Sequence, residues 1–128
     1  MIREKQEVIK LIRQYNTSNP FELCELLGIN VNYNPLGSLN GYYRYSSEYH
    51  FIEINSNLNR THQYATCAHE LGHYILHQGQ NGLFLSSTLM LIGKLEKQAD
   101  RFALYLLLKY YDNSTENIPI RLLNVFKG

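Results

Sequence analysis

The chain has 128 residues, 45% of them apolar and 18% charged, with a formal net charge of +1. That length allows one hydrophobic core and is short for two, and the balance is that of a folded globular chain rather than a disordered one. A charge so close to neutral lacks the basic excess that a phosphate backbone demands of its partners, so direct nucleic-acid binding is not expected.

The first ten residues, MIREKQEVIK, alternate charge with isolated apolar positions and hold no apolar stretch of the secretory kind. The longest apolar run, Phe102 to Leu108, is far below the roughly 20 residues that a membrane span needs. A cytoplasmic protein is therefore the expectation. Cys24 and Cys67 are expected as two buried thiols, because a chain with its own core does not need a covalent staple.

Residues 2–15 set Ile2, Val8, Ile9, Leu11, Ile12 and Tyr15 among charges at the spacing of an amphipathic helix. In Asn19-Pro20-Phe21-Glu22 the Asn can cap, Pro suits the first helical position and Glu can return a capping bond; Gly28 closes the helix after Leu27, giving a helix over 20–27. Ile29 to Tyr33 alternate apolar residues with Asn, and after the Pro35 and Gly37 loop Tyr42 to Tyr45 and Tyr49 to Ile54 predict two more strands, joined by a turn at Ser46-Ser47-Glu48. The tyrosines gathered here are read as amphipathic rings on a half-exposed sheet and not as a base-stacking platform. A helix over 60–77 follows, then a Gly- and Ser-punctuated loop over 78–93 with a strand at Leu83 to Leu85, then a second long helix over 94–110. The tail from Asp112 carries no clear pattern. The expected fold class is α+β, with a short sheet or hairpin and two long helices.

The third helix contains CAHELGHYILH, in which His69, His73 and His77 stand four residues apart. Helical residues at that spacing are rotated by about 40° and raised by about 6 Å, so His69 and His73 project from one face in adjacent turns and can close on one metal ion. Glu70, about 100° around the helix from His69, points beside such an ion, where a carboxylate can take a proton from water. This is the H-E-x-x-H arrangement of zinc peptidases. His77 lies about 12 Å along the axis from His69, too far to share an ion that binds imidazole nitrogen at about 2.1 Å, and is expected to pack or hydrogen-bond at the helix end. His50 and His62 are expected as surface or packing residues.

A third ligand has to come from another element. On the second long helix Leu95, Ala99, Phe102, Ala103, Leu106 and Tyr110 form an apolar face, with Glu96 and Asp100 at its edge, apart from most other charges. A carboxylate leaning toward a core is costly unless it is paired or bound to metal. Glu96 as third ligand would leave a fourth position open, as in catalytic zinc sites, and Asp100 could accept the second ring N–H of His69. Spacing alone allows these two acids to exchange roles. Two imidazoles and a carboxylate suit Zn2+. Tyr64, Tyr74, His62 and His77 are the candidates for steadying an oxyanion.

With both helices in view, the segments NPFELCELLGINV, NGYYRY, FIEINSNL, YATCAHELGHYILH, FLSS and LEKQADRFALYLLL, in order from Asn19 to Leu108, resemble the ImmA/IrrE family of metallopeptidases. The resemblance implies a small zincin-like fold, zinc held by His69, His73 and Glu96, and Glu70 as general base. It also implies carriage by phages or integrative elements and a helix-turn-helix repressor as the protein substrate. On this reading residues 1–128 form a single metallopeptidase domain, made of an N-terminal helix (1–18), the family core (19–110) and a tail (111–128) shorter than in many relatives. The alternative is a non-proteolytic, metal-bearing anti-repressor that inactivates a repressor by binding it; the presence of Glu70 favours the peptidase, since a structural zinc site has no need of a base.

Overall fold

The computed structural model describes residues 2–77 and 89–127. The order is α1 (Arg3–Tyr15), α2 (Pro20–Leu26), β1 (Ile29–Asn34), β2 (Gly41–Ser46), β3 (Tyr49–Asn55), α3 (Arg60–Leu76), α4 (Leu89–Tyr110) and α5 (Ile120–Leu123), an α+β arrangement. The three strands form one sheet in the order β1-β3-β2, with β3 central, parallel to β1 and antiparallel to β2. None of the described helices is long and apolar enough to cross a membrane.

Local chemistry explains most boundaries. Asn19 caps α2 as expected, its Oδ1 accepting from the backbone N–H groups of Phe21 at 2.9 Å and Glu22 at 3.4 Å, with Pro20 in the first turn. Glu22 does not complete a capping box; it accepts from the Thr17 hydroxyl at 3.0 Å instead. The β2–β3 hairpin turns on Ser47 and Glu48 alone, since Ser46 pairs with Tyr49. Both turn residues have positive φ, 49° and 72°, as a two-residue type I′ turn requires.

Two expectations need correction. The second long helix begins at Leu89 and not at Lys94, so residues 89–93 are helical and not loop. Gly93 was the misleading signal: a lone glycine costs a helix only about 1 kcal/mol, and good helix formers precede it. The tail is also more ordered than its sequence suggested, because Ile118 and Leu122 insert into the core and carry α5 with them. The strand expected at Leu83 to Leu85 lies outside the described residues.

The core draws on every layer: Val8 and Leu11 from α1, Leu23 from α2, Ile52 and Ile54 from β3, Leu71 from α3, and Phe102 and Leu106 from α4. Cys24 and Cys67 meet inside it as free thiols, their sulfurs 3.7 Å apart. Two glycines allow the close approaches that bring the elements around α3 together. A Cβ on Gly72 would sit 3.1 Å from Phe102 Cδ1 and 3.2 Å from the Ala99 carbonyl, so its absence lets α4 settle onto α3. A Cβ on Gly41 would strike the Glu53 carbonyl at 2.5 Å and Thr66 Cγ2 at 2.6 Å, so the start of β2 lies against α3. From the far side α1 ties the helices down. Buried Glu4 accepts from Arg101 Nε at 3.0 Å and Nη2 at 2.8 Å, and Arg3 Nη2 donates to the Leu76 carbonyl at 2.9 Å.

Candidate metal centre

The helix α3 starts on a side-chain cap, Asn59 Oδ1 accepting from the His62 N–H at 2.9 Å. From there one stripe of its surface, His62, Thr66, His69 and Glu70, lines a cleft of about 570 Å³. Asn40 and Gly41 at the start of β2 form another wall, Glu96 on α4 a third, and Pro119 and Arg121 the last.

At the edge of the cleft the two imidazoles and one carboxylate converge, His73 standing just outside its lining. His69 Nε2 lies 3.3 Å from Glu96 Oε2, and His73 Nε2 lies 2.5 Å from Glu96 Oε1. Glu70 Oε2 stands slightly farther off, 3.9 Å from His69 Nε2. The opposite ring nitrogens are engaged away from the cleft. His69 Nδ1 is 2.8 Å from Asp100 Oδ1, and Asp100 Oδ2 in turn accepts from Arg121 Nη1 at 2.7 Å. His73 Nδ1 is 2.9 Å from His77 Nδ1, and His77 Nε2 is 2.8 Å from Gln98 Oε1.

The donor set fits a divalent ion of the zinc type. His69, Glu70 and His73 each offer a ligand atom, all within 4.8 Å of one another. Glu96 approaches both imidazoles more closely than Glu70 does. Ligands about 2.1 Å from a tetrahedral ion stand about 3.4 Å from each other, close to the His69–Glu96 separation. The shorter His73–Glu96 contact is that of a proton-sharing pair, and the Glu96 side chain, 52% exposed, is free to open by the difference.

The family model for the IrrE N-terminal-like domain, a peptidase family, matches residues 24–116, which include β1 to β3, α3 and α4. The chain belongs to this family. It is 42% identical over 106 residues to a protein of Bacillus phage phi105 named uncharacterized immunity region protein 2, covering 81% of this chain and 67% of that one. It is 37% identical over 107 residues to the metallopeptidase ImmA of Bacillus subtilis (strain 168), covering 81% of this chain and 62% of that one. The matched stretch thus spans about two thirds of the length of these relatives. The family match leaves α1 and α5 outside, yet α5 supplies Arg121 to the cleft.

Electrostatics in this IrrE-like cleft follow from burial and from the converging charges. Burial pushes the Glu70 carboxyl above its usual pKa; the charge of Glu96 adds to the rise, while His69, His73 and the backbone N–H of Tyr43 oppose it. Burial also disfavours a charged His69, but its bonds to Asp100 and Glu96 and the charge of Glu70 outweigh that and lift its pKa to about 10. Glu96 is held well below the usual carboxylate range by its bonds from His69 and His73. Burial works to raise Asp100, yet His69 and Arg121 leave it below its ordinary value.

All five residues singled out in the sequence, His69, Glu70, His73, Glu96 and Asp100, meet here. His77, expected to pack or hydrogen-bond at the helix end, does so, contacting His73 directly. His50 packs among Tyr43, Tyr45 and Tyr74 and shares a 2.6 Å hydrogen bond with the Tyr43 hydroxyl. Of the four residues considered for an oxyanion, only His62 is among those lining the cleft; Tyr64 meets Phe21 edge-on and stacks with Tyr110, and Tyr74 meets Tyr43 and His50 edge-on. Gln98 and Arg121 escaped the sequence reading. Gln98 fell on the polar face of its helix, and Arg121 stands in a tail with no periodicity, so neither carried a local signal.

Proposed function

We propose that the chain is a zinc-dependent endopeptidase in which His69, His73 and Glu96 hold the ion, Glu70 is the general base and Asp100 fixes the orientation of His69. The observation that carries this reading is the convergence of both Nε2 atoms on the Glu96 carboxylate, with a buried Glu70 3.9 Å from His69 Nε2. Zinc, when bound, supplies a Lewis acid that eases the deprotonation of water and polarises a peptide carbonyl. Glu70 takes the proton from the attacking water and returns it to the leaving amine, and its raised pKa makes it a stronger acceptor than an exposed glutamate. Asp100, itself bound by Arg121, keeps the His69 ring from turning. Around them Asn40, His62 and Arg121 offer N–H donors to the carbonyls of an extended segment.

The substrate on this reading is a helix-turn-helix repressor in the cytoplasm, cut at one or a few sites. That choice rests on the family likeness and agrees with the immunity-region name of the phage relative. A cleft of about 570 Å³ takes an extended or locally unfolded segment, so a folded bystander should resist. The test incubates the zinc-loaded chain and its Glu70→Gln and Glu96→Ala variants with a repressor encoded beside it, and reads fragments by mass spectrometry and bound zinc by elemental analysis. Discrete fragments are expected with the unaltered chain only. Glu70→Gln should keep its zinc and Glu96→Ala should lose it. Release of the repressor from DNA by both the unaltered chain and Glu70→Gln, without fragments, would replace proteolysis with inactivation by binding.

A further inference from the structure

The helix α3 ends at Leu76, and His77 caps it, its backbone N–H donating to the His73 carbonyl at 2.9 Å. A side chain at this position leans back over the preceding turn, toward the residue four before it. The His77 ring thereby lies between His73 on its own helix and Gln98 on α4, with Nδ1 2.9 Å from His73 Nδ1 and Nε2 2.8 Å from Gln98 Oε1. It is only 5% exposed, so the ring is largely shielded from water. Arg3 fixes the end of the helix that carries it, through its 2.9 Å bond to the Leu76 carbonyl.

Hydrogen-bond chemistry orders this chain of contacts in one direction. An amide oxygen only accepts, so the hydrogen of His77 sits on Nε2, facing Gln98. A neutral ring with its hydrogen there has a lone pair at Nδ1, and His73 must then donate from its own Nδ1. Once a metal ion displaces the proton between His73 Nε2 and Glu96, that leaves the lone pair of His73 at Nε2, the nitrogen that faces Glu96. In the metal-loaded chain His69 would reach the same state by another route, its Nδ1 being held by the Asp100 carboxylate. The asymmetry has a reason. Glu70, Glu96 and Asp100 already crowd this end of the cleft, and a fourth carboxylate behind His73 would add repulsion, whereas a neutral imidazole orients the ring without adding charge.

We propose that His77, backed by Gln98, is a positioning residue that holds His73 in the tautomer and orientation that present Nε2 to the ion. This rests on the reading of His73 as a ligand, and the two ideas fail separately. Long-range proton–nitrogen spectra of the imidazoles in the zinc-loaded chain should show the hydrogen on Nδ1 of His73 and on Nε2 of His77. In competition against a chromophoric chelator, His77→Leu, which fills the space without an acceptor, should bind zinc roughly tenfold to a hundredfold more weakly. His77→Asn, whose Oδ1 falls near the place of the lost Nδ1, should recover most of that loss. If His73→Ala binds zinc as tightly as the unaltered chain, the ligand reading falls and takes this inference with it. If His73→Ala loses zinc but His77→Leu does not, or if His77 carries its hydrogen on Nδ1, the positioning role is overturned and the ligand reading stands. Should His77→Leu fail to fold, the spectra of the unaltered chain decide the matter.

Discussion

At the scale of single residues, the legible part of the site was the part written in one helix. His69, Glu70 and His73 follow from helical geometry alone, and Glu96 and Asp100 from their place at the edge of an apolar face. The bracing residues were not legible, because His77–Gln98 and Asp100–Arg121 are contacts between elements whose spacing in sequence carries no period. The same cluster makes the metal-free chain sensitive to pH in a definite direction. His69 has a pKa of about 10 in the fold against 6.5 as its ordinary value, so its charged form contributes stability that is complete below about 6.5 and is lost as pH rises toward 10. Glu96 is depressed from 4.5, so its contribution is present above that value and is lost as pH falls. The two overlap between about 4.5 and 6.5, where the urea midpoint of the metal-free chain should peak. Zinc should flatten the decline on the alkaline side, since a bound imidazole has already given up its proton. A metal-free midpoint that climbs steadily from pH 6 to 9 would mean that His69 is not held as imidazolium.

At the scale of elements, the capped α2 and the paired strands were readable because their signals are local: a side-chain cap, a proline in the first turn, alternation of apolar and polar residues. The sheet order was not, since the parallel pairing of β1 with β3 skips over β2 and no short-range pattern reports it. The start of α4 was missed for a related reason, a glycine read as a stop where the helix simply runs through it. The hairpin turn offers a prediction of its own. Ser47 and Glu48 both occupy the left-handed region, at φ 49° and 72°, where side chains other than those of Gly and Asn are strained. Changing Ser47→Asn together with Glu48→Gly should therefore stabilise the fold by about 1 kcal/mol, read as a higher urea midpoint with unchanged slope. An unchanged or lower midpoint would show that the turn is not strained.

At the scale of the whole molecule, the first helix and the tail matter more than their sequences suggested. The α1 helix lies outside the family-matched residues, yet its Glu4 forms a two-bond pair with Arg101 and its Arg3 holds the end of α3. Removing the carboxylate in Glu4→Ala leaves a largely buried guanidinium without its partner, which should cost about 2 kcal/mol of stability while zinc binding survives. A loss below about 0.5 kcal/mol would place that pair among surface bridges of little weight. The tail acts on the cleft itself, because Arg121 clamps Asp100, which in turn holds His69. That clamp also sets a clock. At roughly 5–20 residues per second, the 52 residues from His69 to Arg121 (121 − 69) take about 3–10 s to synthesise, and domains fold as their parts emerge. During that interval a nascent chain carries the histidine pair without Arg121, and for its first half without Glu96, so the proposed site is completed only late in synthesis.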